Sequence, residues 1–314
     1  MGRKGLLQVA LHTARNSPPP STLGLNMYIL DTSAIRGISR DNIITASTHF
    51  NIAVSTVSVL ELASHLTDSP GSNAYSRVRG NLLKCQRVRI LDDPFLRLAQ
   101  RTGLPVNGTR REDAIALRQL LDAVNQAETL VQLERMTFTY ADGTPASFSG
   151  IGERIGEALR NEEDQYVRHI RSLPGLLGLD PYQNGTHNPT SAELFRQLNT
   201  VTESLYTINY GTSIDDMFSA TVLYFGYILS RMYQYADRCL PGEVGEVELQ
   251  VDRNDCEDAY ISLNLDLREN DTLVTNDRGT QHALRRTITV LRENGYLPEI
   301  RIMSNDEFLS AIMS

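Results

Sequence analysis

The chain alternates strand-like and helix-like segments at its two ends and is almost entirely helix-like in between. That pattern restricts the fold more than any other feature. Near the start, Met27-Tyr-Ile-Leu30 and Ile52-Ala-Val-Ser-Thr56 have the short apolar composition of buried strands, and Arg87–Leu91 is a third. Helices are expected over Ala34–Phe50, with Ser33 able to cap it, over Val57–Leu66, and from Pro94 to Gln100. Near the end, a helix over Glu257–Glu269 precedes the strand Thr272-Leu-Val-Thr275. A helix over Gly279–Asn294, the strand Ile300-Arg-Ile-Met303 and the segment Asn305–Leu309 follow. Alternation at both ends predicts one parallel sheet built from the two ends of the chain.

Between them, from about Gly103 to Asp252, strand signals thin out. Apolar residues recur at helical spacing over Arg111–Met136, and helices are also expected over Gly152–Ser172, Thr190–Ile208 and Ile214–Arg238. Turn-forming residues cluster at Tyr140–Gly150 and Pro174–Pro189. The expected organisation is an N-terminal extension (1–26), the first part of the α/β domain (27–103), an all-α insertion (104–252) and the second part of the domain (253–314). The extension is set apart by Arg3 and Lys4 before a short apolar run, then a Pro- and Ser-rich stretch, and is expected to be flexible.

The formal charge of −8 excludes a chain that holds nucleic acid by bulk attraction, so a nucleic-acid enzyme would need a local basic patch. Only Lys4 and Lys84 are lysines among 30 basic residues; arginine suits bidentate phosphate recognition, although genomic base composition also explains such a bias. Cys85, Cys239 and Cys256 are odd in number and lack paired spacing, which favours a reducing, cytoplasmic setting without disulfides or zinc. The longest uncharged apolar run of the late helix, Met217–Ser230, falls short of the ~20 residues of a membrane span.

Chemistry concentrates in the acids. Asp31 and Asp277 each lie just past the carboxyl end of a predicted strand, where open parallel sheets form their sites. An acid there also commonly caps the next helix. Glu61 and Asp258 lie on helices able to reach the same edge. Carboxylate oxygens without a His or Cys pattern suit hard divalent ions, Mg²⁺ or Mn²⁺, rather than zinc. Asp255, one helical turn from Asp258, could join or replace it, and Ser33 and Thr275 are hydroxyl candidates. Asp216 is better placed as a helix-start residue than as a site acid, and His282 as a surface residue. Arg77, Arg79, Lys84 and Arg87, with Arg101, Arg110 and Arg111, are candidate phosphate contacts that would otherwise form a solvated face.

Leu30-Asp-Thr-Ser-Ala-Ile35, Ser55-Thr-Val-Ser-Val-Leu-Glu-Leu62, Glu257-Asp-Ala-Tyr-Ile261 and Leu273-Val-Thr-Asn-Asp-Arg-Gly279 resemble the four motifs of PIN domains. The tail Leu297–Leu309 is similar to the last strand and helix of that family. The resemblance covers about 27–103 and 253–314, and departs from the family in the long middle segment. It implies a three-layer α/β/α fold and a Mg²⁺- or Mn²⁺-dependent endoribonuclease. Many members are toxins of toxin–antitoxin pairs, so an inhibitory antitoxin-like partner and a homodimer are further expectations. Under it, Asp31, Asp258 and Asp277 are metal ligands and Glu61 a ligand or the group orienting the attacking water. The competing readings are a catalytically silent RNA-binding or scaffold module, and a phosphatase-like or DNA-directed enzyme.

Overall fold

The computed structural model describes residues 26–68, 74–104, 109–139, 143–178, 189–206, 213–238 and 249–313, with the side chains of 109–116, 205, 206 and 238 not described. The expected extension lies outside these residues except for Asn26, as does Cys239.

The two ends of the chain do build one sheet. β1 (Met27–Leu30) leads through α1 (Thr32–Gly37) and α2 (Arg40–His49) to β2 (Asn51–Val54). Then α3 (Thr56–Ser64), a single 3₁₀ turn (His65–Thr67) and α4 (Ala74–Cys85) lead to β3 (Arg89–Ile90) and α5 (Pro94–Thr102). The middle of the chain carries α6 (Thr109–Gln126), α7 (Leu130–Glu134), β4 (Thr137–Thr139), β5 (Pro145–Ser147), α8 (Ile151–Leu177), α9 (Ser191–Tyr206) and α10 (Ile214–Arg238). The chain returns with α11 (Asp255–Ser262), β6 (Thr272–Val274), α12 (Arg278–Glu293), β7 (Arg301–Met303) and α13 (Asn305–Met313).

The sheet order is β3-β2-β1-β6-β7 and every pairing is parallel. Tyr28, Ile29 and Leu30 stand opposite Ile52, Ala53 and Val54 on one side and Thr272, Leu273 and Val274 on the other. The order therefore reverses between β1 and β6, which opens a crevice at their carboxyl ends. Because strand side chains alternate, Met27, Ile29, Ala53 and Leu273 enter one core and Leu30, Ile52, Val54 and Val274 the other. Helices cover both faces. α1–α4, α6 and α13 contribute to the second core, through residues such as Ile35, Leu62, Leu82, Leu121 and Phe308. α8–α12 contribute to the first, through Ile170, Leu198, Tyr227, Ile261 and Leu284. The middle segment thus supplies much of one helical layer over the sheet.

Several local readings are corrected. The middle segment is not all-α, because β4 and β5 form an antiparallel hairpin with Phe138 and Phe148 packed at 4.8 Å. The expected helix over Ala34–Phe50 is two helices: Ile38 turns extended and Ser39 caps α2 by accepting from Asn42 N at 3.2 Å. Asp31, not Ser33, caps α1. Arg111–Met136 is broken where the Thr129 capping box, closed by Gln132, starts α7. The helix α4 has no counterpart in the sequence reading, and Pro174 lies inside α8 rather than in a loop.

α10 packs closely on α12 where Gly226 faces Thr287. A Cβ placed at Gly226 would stand 2.8 Å from Thr287 Cβ. Gly226→Ala is therefore expected to force the two helices apart and lower stability by about 1–3 kcal/mol, despite the higher helix propensity of alanine. Denaturant titration checks this, and unchanged or increased stability would contradict the packing.

Candidate active site

The crevice between β1 and β6 collects the acids. β1 ends at Leu30, and the Asp31 amide continues the ladder by donating to Val274 O at 3.1 Å. Asp31 is 3% exposed and caps α1, its Oδ1 accepting from Ala34 N at 2.7 Å. The Ser33 hydroxyl donates to the same carboxylate at 2.8 Å, and itself accepts from Asn276 N at 2.7 Å. Ser33 Oγ lies 3.4 Å from Thr275 Oγ1, so the hydroxyls singled out in the sequence tie the β1 and β6 ends together. Thr275 is fully buried and accepts from Asp277 N at 3.0 Å, which aims the loop that presents Asp277. Asp277 in turn caps α12 by accepting from Thr280 N at 2.6 Å. Both capping roles of the strand-end acids are therefore real, and they coexist with membership of one cluster.

Asp258, on α11, accepts from the Thr280 hydroxyl at 2.5 Å. Burial pushes its carboxyl up to about 8, and the nearby charges of Asp31, Asp277 and Asp255 push the same way. Asp31 is raised to about 6 by burial, opposed by Thr275, Ala34 and Ser33 and reinforced by Glu61. Glu61 thus acts on Asp31, and Asp31 and Asp277 act on Asp258, across separate chain segments. Glu61, on α3, is paired with Arg36 at 3.2 Å.

Asp255 takes a different role from Asp258. It accepts from the Tyr235 hydroxyl and pairs with Arg231 at 2.8 Å, so it belongs to a buried network on α10. Arg231 also stands 3.7 Å from Asp277. Sequence reasoning missed three groups: Arg36, Arg231 and Glu257. Glu257 is raised to about 8 by burial and then by Glu61, Glu163 and Asp258, with Arg36 opposing. For Glu257 a signal existed, because it adjoins Asp258; Arg231 lies in an apolar stretch of α10, far in sequence from Asp255 and Asp277.

The basic candidates divide. Arg79 donates to the carbonyls of Val124, Ala127 and Asn125 at 2.8–3.0 Å, and Lys84 to Ile35 O at 2.7 Å. Arg101 serves Asp266, Glu269 and the carbonyls of Leu263 and Asn264. These three therefore make contacts within the fold. Arg77 is exposed, and Arg87 is exposed along a cleft of about 670 Å³ that it lines with Arg89 and Arg118. Arg110 and Arg111 lie on α6 with undescribed side chains. Asp216 accepts from the Ser213 hydroxyl at 2.7 Å and pairs with Arg268, away from the cluster.

The donor set suits a hard divalent ion: carboxylate and hydroxyl oxygens, with two carboxyls held above their ordinary range by burial and mutual charge. Among the described residues no three His, Cys, Asp or Glu groups stand in ligand geometry as placed. Asp31, Asp258 and Asp277 each accept from a hydroxyl or amide donor of the protein. Among the described residues no helix is long and apolar enough to cross a membrane. Comparison with known protein families, with curated proteins and with solved structures finds no match.

Proposed function

We propose that the chain is a PIN-type, Mg²⁺- or Mn²⁺-dependent endoribonuclease. What supports this reading is the position of Asp31 and Asp277 at the β1 and β6 ends where the strand order reverses, with Asp258 joined to the start of α12 through Thr280 and Glu61 acting on Asp31 by charge. Asp31 and Asp258, each disfavoured in the charged form by burial and by neighbouring acids, are an unfavourable way to build a core, and a divalent cation removes that cost. Asp31, Asp258 and Asp277 are the residues that would hold it. Bound there, such an ion supplies Lewis-acid activation of water and neutralises charge developing on the phosphate.

The residues of the chain would then divide the work. Glu61, fixed by Arg36, orients the attacking water against Asp31. Ser33 and Thr275 hold the Asp31 carboxylate in place. Water oxygen bonds to phosphorus, the P–O3′ bond breaks and the 3′-oxygen takes a proton, giving 5′-phosphate and 3′-hydroxyl ends. Exposed Arg77 and Arg87 are the remaining described candidates from the sequence for contact with the RNA strand. A role as the toxin of a toxin–antitoxin pair belongs to this same proposal.

One observation favours the silent RNA-binding or scaffold reading. Arg231 and Arg36 already neutralise part of the acidic cluster without any ion. The two readings separate in a cleavage assay on RNA and on single-stranded DNA as Mn²⁺ is titrated. Ion-dependent cleavage of RNA, lost in Asp258→Asn, supports the nuclease. RNA binding that needs no ion, with both substrates left intact, supports the scaffold.

A further inference from the structure

The middle segment delivers one cation into the acidic crevice. Arg231 sits on α10, is 8% exposed, and is held by partners on every side. Its Nε donates to Tyr227 Oη at 3.1 Å and Nη1 to Gln234 Oε1 at 2.9 Å. Nη2 pairs with Asp255 at 2.8 Å and faces Asp277 Oδ1 at 3.7 Å. The guanidinium lies flat on the first turn of α12, where any side chain at position 279 would collide with it. A Cβ at Gly279 would stand 2.7 Å from Arg231 Cζ. Gly279 is two residues from Asp277, so the fold keeps that space clear for the guanidinium beside a candidate ligand.

We propose that Arg231 is the built-in counter-cation of the acidic site and sets its affinity for divalent ions. This rests on the reading of Asp31, Asp258 and Asp277 as ion ligands. With no ion bound, its charge offsets the repulsion among Asp255, Asp258 and Asp277. With an ion bound, the same charge opposes it, because the guanidinium is anchored on Asp255 and cannot leave without abandoning a buried carboxylate. Arg231 therefore acts through Asp277 as a positioning residue, and it makes ion binding weaker than the four acids alone would give.

The test is calorimetric titration of the full chain with MnCl₂, for wild type, Arg231→Gln and Arg231→Lys. Removing one positive charge next to a divalent ion in a partly exposed site is expected to tighten Mn²⁺ binding by about tenfold in Arg231→Gln. Arg231→Lys keeps the charge and is expected to stay within about threefold of wild type. A purely structural arginine would give the opposite sign, since loosening the site weakens ion binding. Should Arg231→Gln unfold without the ion, the Mn²⁺ concentration at half-refolding is the readout, and failure to refold overturns the proposal. Equal or weaker binding in Arg231→Gln, with wild type binding normally, overturns it and leaves the nuclease reading standing. Wild type that binds no Mn²⁺ removes both.

Discussion

Asp31→Asn and Asp277→Asn are each expected to lower ion-dependent RNA cleavage by on the order of 10²–10³-fold, the scale of losing one fixed electrostatic partner of a transition state. Folding should survive, for a reason visible in the local structure. Both acids are helix N-caps, accepting from Ala34 N and Thr280 N. Asparagine caps as well as aspartate, so the backbone partner is kept while the charge is lost. For Asp31, removing a buried charge also offsets the weaker interaction with the helix dipole. Circular dichroism and a thermal melt, run beside the cleavage assay, check both halves. Full activity in either folded variant would remove that residue from the reaction.

The second large effect is in stability against pH. In the folded chain Asp258 holds its proton up to about pH 8, whereas its ordinary value is 3.8. Asp31 holds its proton up to about 6. A carboxyl raised by folding stabilises the native state in its protonated form. That stabilisation is complete below about pH 4 and is lost as pH rises through 6 for Asp31 and 8 for Asp258. Without added divalent ion, the protein is therefore expected to melt at progressively lower temperature from pH 5 to pH 8. The contribution of Asp258 should be about 2–4 kcal/mol after allowing for its partial exposure. Asp258→Asn, neutral at every pH, should flatten the slope and melt higher than wild type at pH 8. Millimolar Mn²⁺ should raise the wild-type melting temperature most at pH 8, where the ligands ionise readily; an ion at a hundred times its dissociation constant contributes about 2.7 kcal/mol. A wild-type melting temperature that climbs toward pH 8 without the ion, or an Asp258→Asn profile parallel to it, would contradict this electrostatic account.

How far the sequence alone reaches depends on the range of the interaction. Met27–Leu30 and Thr272–Val274 were legible as strands because period and composition are local properties, and Asp31 and Asp277 were legible because they follow those strands directly. Helices α8, α9 and α10 match helices expected from the sequence, α10 to the residue. The break at Ile38 and Ser39 was not, since a short polar cap competes with an otherwise continuous helical pattern. The hairpin β4–β5 was hidden because its strands are only three residues long. Least legible were the cations. The pairing of Arg231 with Asp255 and Asp277 depends on how α10 lies across α11 and α12, which no local spacing encodes. The preference for Asp258 over Asp255 was a sequence expectation. In the structure Tyr235 and Arg231 engage Asp255, while the Thr280 hydroxyl engages Asp258.

The central claim is that these carboxylates form one ion-dependent phosphodiesterase centre. End-group mapping tests it most directly, with RNA incubated with the full chain in EDTA, in Mn²⁺, and in Mn²⁺ with Asp31→Asn, Asp258→Asn or Asp277→Asn. The account predicts fragments with 5′-phosphate and 3′-hydroxyl ends that form only with Mn²⁺ and wild type. Fragments ending in 2′,3′-cyclic phosphate, or cleavage that persists equally in EDTA and in all three variants, would contradict it.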